Sequence, residues 1–103
     1  MKNPVTMAAA CATIDFMKEN DTKANSAAMG RKFMDGLMAL KEKHPCMGDV
    51  RGKGLMLGVE FVKADREPAP EMFLRVLEET KKRGLLVGKG GLNGNVMRLA
   101  PHM

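Results

Sequence analysis

At 103 residues the chain has the size of one domain, and its 45% apolar and 28% charged residues argue against disorder over most of its length. The formal charge of +5 is scattered and neither Tyr nor Trp occurs, so the basic stripe and stacking aromatics of a nucleic-acid binder are missing. No run approaches the roughly 20 apolar residues that span a bilayer, and Cys11 and Cys46 are too isolated for a disulfide framework.

Asn3 followed by Pro4 opens a helix. Asn caps the free amides, and Pro fits the first helical position because it has no amide hydrogen to leave unpaired. Val5, Ala8, Ala9, Ala12 and Phe16 recur near helical spacing, so this helix runs to about Glu19 and stops near Asn20. The run from Met7 to Cys11 is too short, and too soon followed by Thr13 and Asp15, for an export signal. The expected location is intracellular, cytoplasmic or mitochondrial.

Asp21 or Thr22 caps a longer second helix. Met29, Phe33, Leu37 and Leu40 form one stripe along it. Gly30 and Gly36 weaken it and leave room for a neighbouring helix. Pro45 ends it, with Lys41, Lys43 and His44 suiting its negative C-terminal end. His44-Pro45-Cys46 is no metal site, since one His and one Cys do not supply four ligands.

Residues 47–54 are turn-rich, with room for a short strand at Asp49-Val50-Arg51. Residues 55–62 alternate with period two, placing Leu55, Leu57, Val59 and Phe61 on one face. Residues 63–70 are charged and hold two prolines, which predicts an exposed loop. Glu71 opens a third helix with Met72, Phe73, Val76, Leu77 and Thr80 inward, and Gly84 is its left-handed cap. Leu85-Leu86-Val87 is then a short strand, 88–95 a glycine-rich turn or hairpin loop, and 96–100 the closing strand. Helices and strands do not alternate regularly enough for a doubly wound sheet. The expected class is α+β, a small, mostly antiparallel sheet with helices on one face.

The composition adds one point. Eleven Met against four Phe predict a soft core, with some Met covering a surface that meets another domain or subunit.

Arg98 stands out. In an extended strand it shares a face with Val96 and Ala100, opposite Met97 and Leu99. A planar guanidinium grips a carboxylate through two parallel hydrogen bonds. Gly88-Lys89-Gly90-Gly91, by contrast, lacks the Lys-Ser/Thr ending and following helix of a phosphate loop. Gly52-Lys53-Gly54 is followed by a strand, so it is not a dinucleotide fingerprint.

Three segments carry a family resemblance: Asn3-Pro4-Val5, Asp49-Val50-Arg51-Gly52-Lys53-Gly54-Leu55, and residues 90–101 ending in Val96-Met97-Arg98-Leu99-Ala100-Pro101. In this order and spacing the chain resembles the C-terminal small domain of class III pyridoxal-phosphate-dependent aminotransferases, nearest the alanine–glyoxylate and 4-aminobutyrate types. The resemblance runs from Asn3 to Pro101. It implies the C-terminal domain of aminotransferase fold type I.

Several roles follow from the resemblance. The arginine of the family's closing strand binds the substrate's α-carboxylate, which here is Arg98. The family's Gly-Asn-Pro step follows a Ser/Thr-rich loop reaching the cofactor phosphate of a neighbouring subunit; Met1-Lys2 stands there instead. The Val-Arg-Gly-x-Gly-Leu segment has a structural role. The Schiff-base lysine, the carboxylate against the pyridine nitrogen and the phosphate pocket lie in the family's large domain, and no lysine here matches that motif.

The expectation is one domain, 1–103, without the large cofactor-binding domain. It has no catalytic, cofactor-binding or metal residue of its own, binds no pyridoxal phosphate (PLP) alone and does not transaminate alone. Expected partners are an amino-acid or keto-acid substrate in the full enzyme, and either a second copy, as a dimer, or a separate large domain. Nucleic acid and membrane are not among them. The rival expectation is a non-catalytic interaction or oligomerisation module derived from such an enzyme.

Overall fold

Local signals set the helices of the computed structural model, which describes residues 2–103. Helix α1 spans Pro4–Glu19, and the Asn3 side chain accepts hydrogen bonds from the amides of Val5 (3.1 Å) and Thr6 (3.2 Å). Helix α2 spans Thr22–Lys43, and α3 spans Pro70–Lys82. Gly84 takes the left-handed conformation (φ 89°) that the end of α3 requires.

Four strands form one sheet: β1 Met47–Lys53, β2 Met56–Phe61, β3 Gly88–Gly90 and β4 Val96–Leu99, in the order β1-β2-β4-β3. Every pair is antiparallel, so the expected α+β class holds. A two-residue turn, Gly54-Leu55, joins β1 to β2; only Gly54 has positive φ (58°), the pattern of a type II′ hairpin.

The core lies on one face. Leu57, Val59, Phe61, Met97 and Leu99 are buried there beneath Met34 and Leu37 of α2 and Phe73, Val76 and Leu77 of α3. Phe73 is fully buried, its ring stacked on Phe61 with centroids 5.7 Å apart. Asn95 is also buried: its side-chain amide donates to the Phe61 carbonyl (2.8 Å) while the Phe61 amide donates to the Asn95 carbonyl (2.8 Å). This pair pins the start of β4 to the end of β2.

Several expectations are corrected. The strand lies at Gly88–Gly90, not at Leu85-Leu86-Val87. The register explains why. Gly88 pairs with Arg98, so Leu85 would fall opposite Pro101, which has no amide hydrogen for a ladder. Lys89 therefore lies mid-strand on the open edge of β3, exposed, on the same side as buried Met97.

The first strand is longer than the short Asp49–Arg51 segment, with a bulge between Met47 and Asp49. The second is shorter than 55–62 because Leu55 belongs to the turn. Asp21 precedes α2 but makes no side-chain cap; in left-handed conformation (φ 48°) it turns the chain between α1 and α2.

Of the stripe on α2, only Leu37 packs against the core. Met29, Phe33 and Leu40 are exposed and line an apolar groove of about 580 Å³ with Leu37, Leu55 and Pro101. Gly30 sets the rotation of α2. It is buried against the β1–β2 turn, where an added Cβ would overlap the Gly54 carbonyl. Its neighbour is thus a hairpin rather than a helix, and Gly36 meets nothing within 4 Å.

No residue of α1 is buried, and α1 touches no strand. Val5, Ile14 and Phe16 are each more than half exposed. The radius of gyration is 16.9 Å, against about 13 Å for a compact chain of this length. Among the described residues no helix is long and apolar enough to cross a membrane, and no cluster of metal-ligating side chains occurs.

The two glycines of α2 should respond oppositely to alanine. Gly30→Ala forces α2 off the hairpin and should cost about 1–3 kcal/mol. Gly36→Ala meets open space and should stabilise by up to about 1 kcal/mol through helix propensity alone. Urea unfolding of the two variants measures both signs.

Candidate functional site on the open sheet face

The pleat sends alternate residues of β4 to opposite sides. Met97 and Leu99 enter the core, whereas Arg98 is exposed on the face that the helices leave open. Its cross-strand neighbours are glycines on both sides, Gly58 on β2 and Gly88 on β3. Gly88 matters for geometry: a Cβ there would sit 3.0 Å from Arg98 Nε and 3.2 Å from an Nη atom, so the guanidinium lies against bare backbone. Beside it opens a shallow groove of about 300 Å³ lined by Phe33, Leu86, Val87, Leu99 and Pro101.

Arg98 forms no ion pair among the described residues. A guanidinium with no ion-pair partner among the described residues, one apolar flank and a glycine directly opposite on each adjacent strand is suited to a planar anion, above all a carboxylate.

The same face carries a second cluster that sequence reasoning did not assemble. Arg51 on β1 donates to Asp49 Oδ2 (2.7 Å) and to Glu60 Oε2 (3.3 Å). The Asp49 hydrogen bond foremost, then that of Glu60, holds the Arg51 pKa above its ordinary value. The period-two pattern of β2 does put Glu60 on the open face. What brings Arg51, Glu60 and Arg98 around Gly58 is the register, which local sequence does not encode.

The other segments singled out above have structural places. Asn3 and Pro4 cap α1, far in sequence from the sheet. Arg51-Gly52-Lys53 belongs to β1, and Gly88-Lys89-Gly90 is a ladder strand rather than a phosphate cradle. Cys11 and Cys46 are both free thiols.

The aminotransferase class-III family profile matches residues 1–103. The chain is 42% identical over 102 residues to an alanine–glyoxylate aminotransferase 2 homologue, mitochondrial, of Arabidopsis thaliana, covering 96% of this chain and 21% of that protein. In structure it is similar to a phospholyase from Arthrobacter in complex with phosphoethanolamine: TM-score 0.87, 30% identity, 96% of this chain and 24% of that one. It is also similar to a PLP-bound amine transaminase from an uncultivated Pseudomonas species: TM-score 0.77, 32% identity, 91% and 22% covered. The chain belongs to the class-III aminotransferase family. It spans about a fifth of the length of the curated relatives it matches.

The family implies PLP. PLP chemistry needs a lysine amine, a carboxylate facing the ring nitrogen and a phosphate cradle in one enclosed site. Among the described residues every lysine except half-buried Lys41 is exposed. The lysine–carboxylate pairs, Lys81–Glu78 and Lys82–Glu79, lie on the solvent side of α3. These residues do not fit the cofactor.

If Gly88 shapes the Arg98 fork, a branched side chain there should displace it. Gly88→Val should move the Arg98 Nε–H resonance in a nitrogen–proton correlation spectrum while leaving the amides of Val59 and Phe73 unshifted.

Proposed function

We propose that this chain serves as the C-terminal small domain of a PLP-dependent class III aminotransferase, a single domain over residues 1–103. In it Arg98 receives the carboxylate of the amino-acid or keto-acid substrate. The observation that carries the reading is the unpaired Arg98 guanidinium, exposed on the open sheet face between Gly58 and Gly88. Two parallel hydrogen bonds from its fork would fix both the position and the plane of the substrate's acid group. PLP supplies the electron sink for amino transfer, and this reading assigns it to the remainder of a full-length enzyme. Arg98 binds and orients; no residue of this chain is given a bond-making role.

The test is an enzyme assembled from this segment and a class III cofactor-binding domain. Losing a charged hydrogen-bond pair costs about 1.5–3 kcal/mol, so Arg98→Gln should lower kcat/KM for an α-amino acid by about 10- to 150-fold. A primary amine without a carboxylate should react as before. An equal loss for both substrates would refute the assignment. The purified chain alone, mixed with PLP and an amino donor, should give no turnover.

The exposed apolar surface supports one further reading, that the isolated chain associates with itself. Its accessible surface is 7906 Å², whereas a compact monomer of this mass would expose about 5,700 Å². The excess is comparable to what a stable interface removes from water. Sedimentation equilibrium should give a mass above the monomer at high concentration; a strict monomer would count against self-association.

A further inference from the structure

The open face holds a competition that the side-chain contacts resolve. Asp49 lies opposite Glu60, and Arg51 lies opposite Gly58 on the β1 side. Arg98 lies opposite Gly58 on the β4 side. Glu60 is therefore diagonal to both arginines. Diagonal cross-strand neighbours stand about 7–8 Å apart, within reach of long side chains. Both guanidinium groups compete for one carboxylate.

Glu60 is committed to one side. Its Oε2 accepts from Arg51 (3.3 Å), and its Oε1 has a long contact with the Asn95 side-chain amide (3.5 Å). Asn95 is buried and tied to the Phe61 carbonyl, so it cannot follow Glu60 elsewhere. Asp49 holds Arg51 in place at 2.7 Å. Arg98 meanwhile lies toward Gly88, on the side away from Glu60.

We propose that Arg51 is a positioning residue for Arg98: by retaining Glu60 on the β1 side, it keeps that carboxylate off the Arg98 fork and leaves the fork free for an incoming acid group. This rests on the reading of Arg98 as the carboxylate receptor. Without Arg51, Glu60 has a single arginine within reach and acts as a built-in competitor of the substrate.

The experiment is arginine modification of the 103-residue chain with phenylglyoxal, with the rate at Arg98 followed by peptide mass mapping. In Arg51→Gln, Glu60 should turn to Arg98 and slow its modification by about two- to fivefold, the occupancy change a surface ion pair supports. In the double variant Arg51→Gln/Glu60→Gln the Arg98 rate should return to that of the unaltered chain. Glu60→Gln alone should leave it unchanged. An unaltered Arg98 rate in Arg51→Gln overturns the proposal. So does slowing that persists in the double variant, because that would be an effect on folding rather than on Glu60.

Acetate protection of Arg98 in the unaltered chain tests the underlying reading separately. Failure of acetate to protect removes the carboxylate-receptor role. The variant rates still decide whether Arg51 controls Glu60.

Discussion

The register between β2 and β4 is the constraint on which the rest of the structure depends. Leu57 opposite Leu99 and Val59 opposite Met97 close the core over Phe73. The same pairing sets Gly58 beside Arg98 and Glu60 beside Val96 on the other face. Because side chains alternate with period two, a slip of one residue would bury the charges and expose the core. Core and site are thus two sides of one decision. The reciprocal bonds between Asn95 and Phe61 guard it, since they tie the start of β4 to one point of β2.

Much of the fold was legible because the signals are local. Asn3-Pro4, Pro45 and Gly84 punctuate the helices through their own backbone chemistry, and the alternation of Leu57, Val59 and Phe61 marks a half-buried strand. Arg98 was likewise legible as facing away from Met97 and Leu99. What escaped was nonlocal. Leu85-Leu86-Val87 has the better strand composition, yet pairing with β4 reaches only Gly88–Gly90. The α2 stripe was real as a pattern, but contact between Gly30 and the hairpin turn decides which face meets the sheet. The company of Arg98, namely Gly58, Gly88, Glu60 and Arg51, comes from three different strands.

The molecule divides into a settled part and an unsettled one. The sheet, α3 and the inner side of α2 satisfy one another. The outer groove of α2 and all of α1 do not, and a 16-residue helix that buries nothing draws little support from its own hydrogen bonds. Such surfaces fit a segment that spans about a fifth of its relatives. The groove on α2 and the groove beside Arg98 share Phe33 and Pro101 in their lining.

Strand β3 bears on solubility. It is one of the two edge strands of the sheet, three residues long, and its middle residue is a lysine turned toward the side where Met97 is buried. A foreign strand adding to that edge would have to strip water from the ammonium group. Glycines on either side offer such a strand no side chains to grip. The shortness and charge of this rim discourage a second copy from adding its own strand along β3.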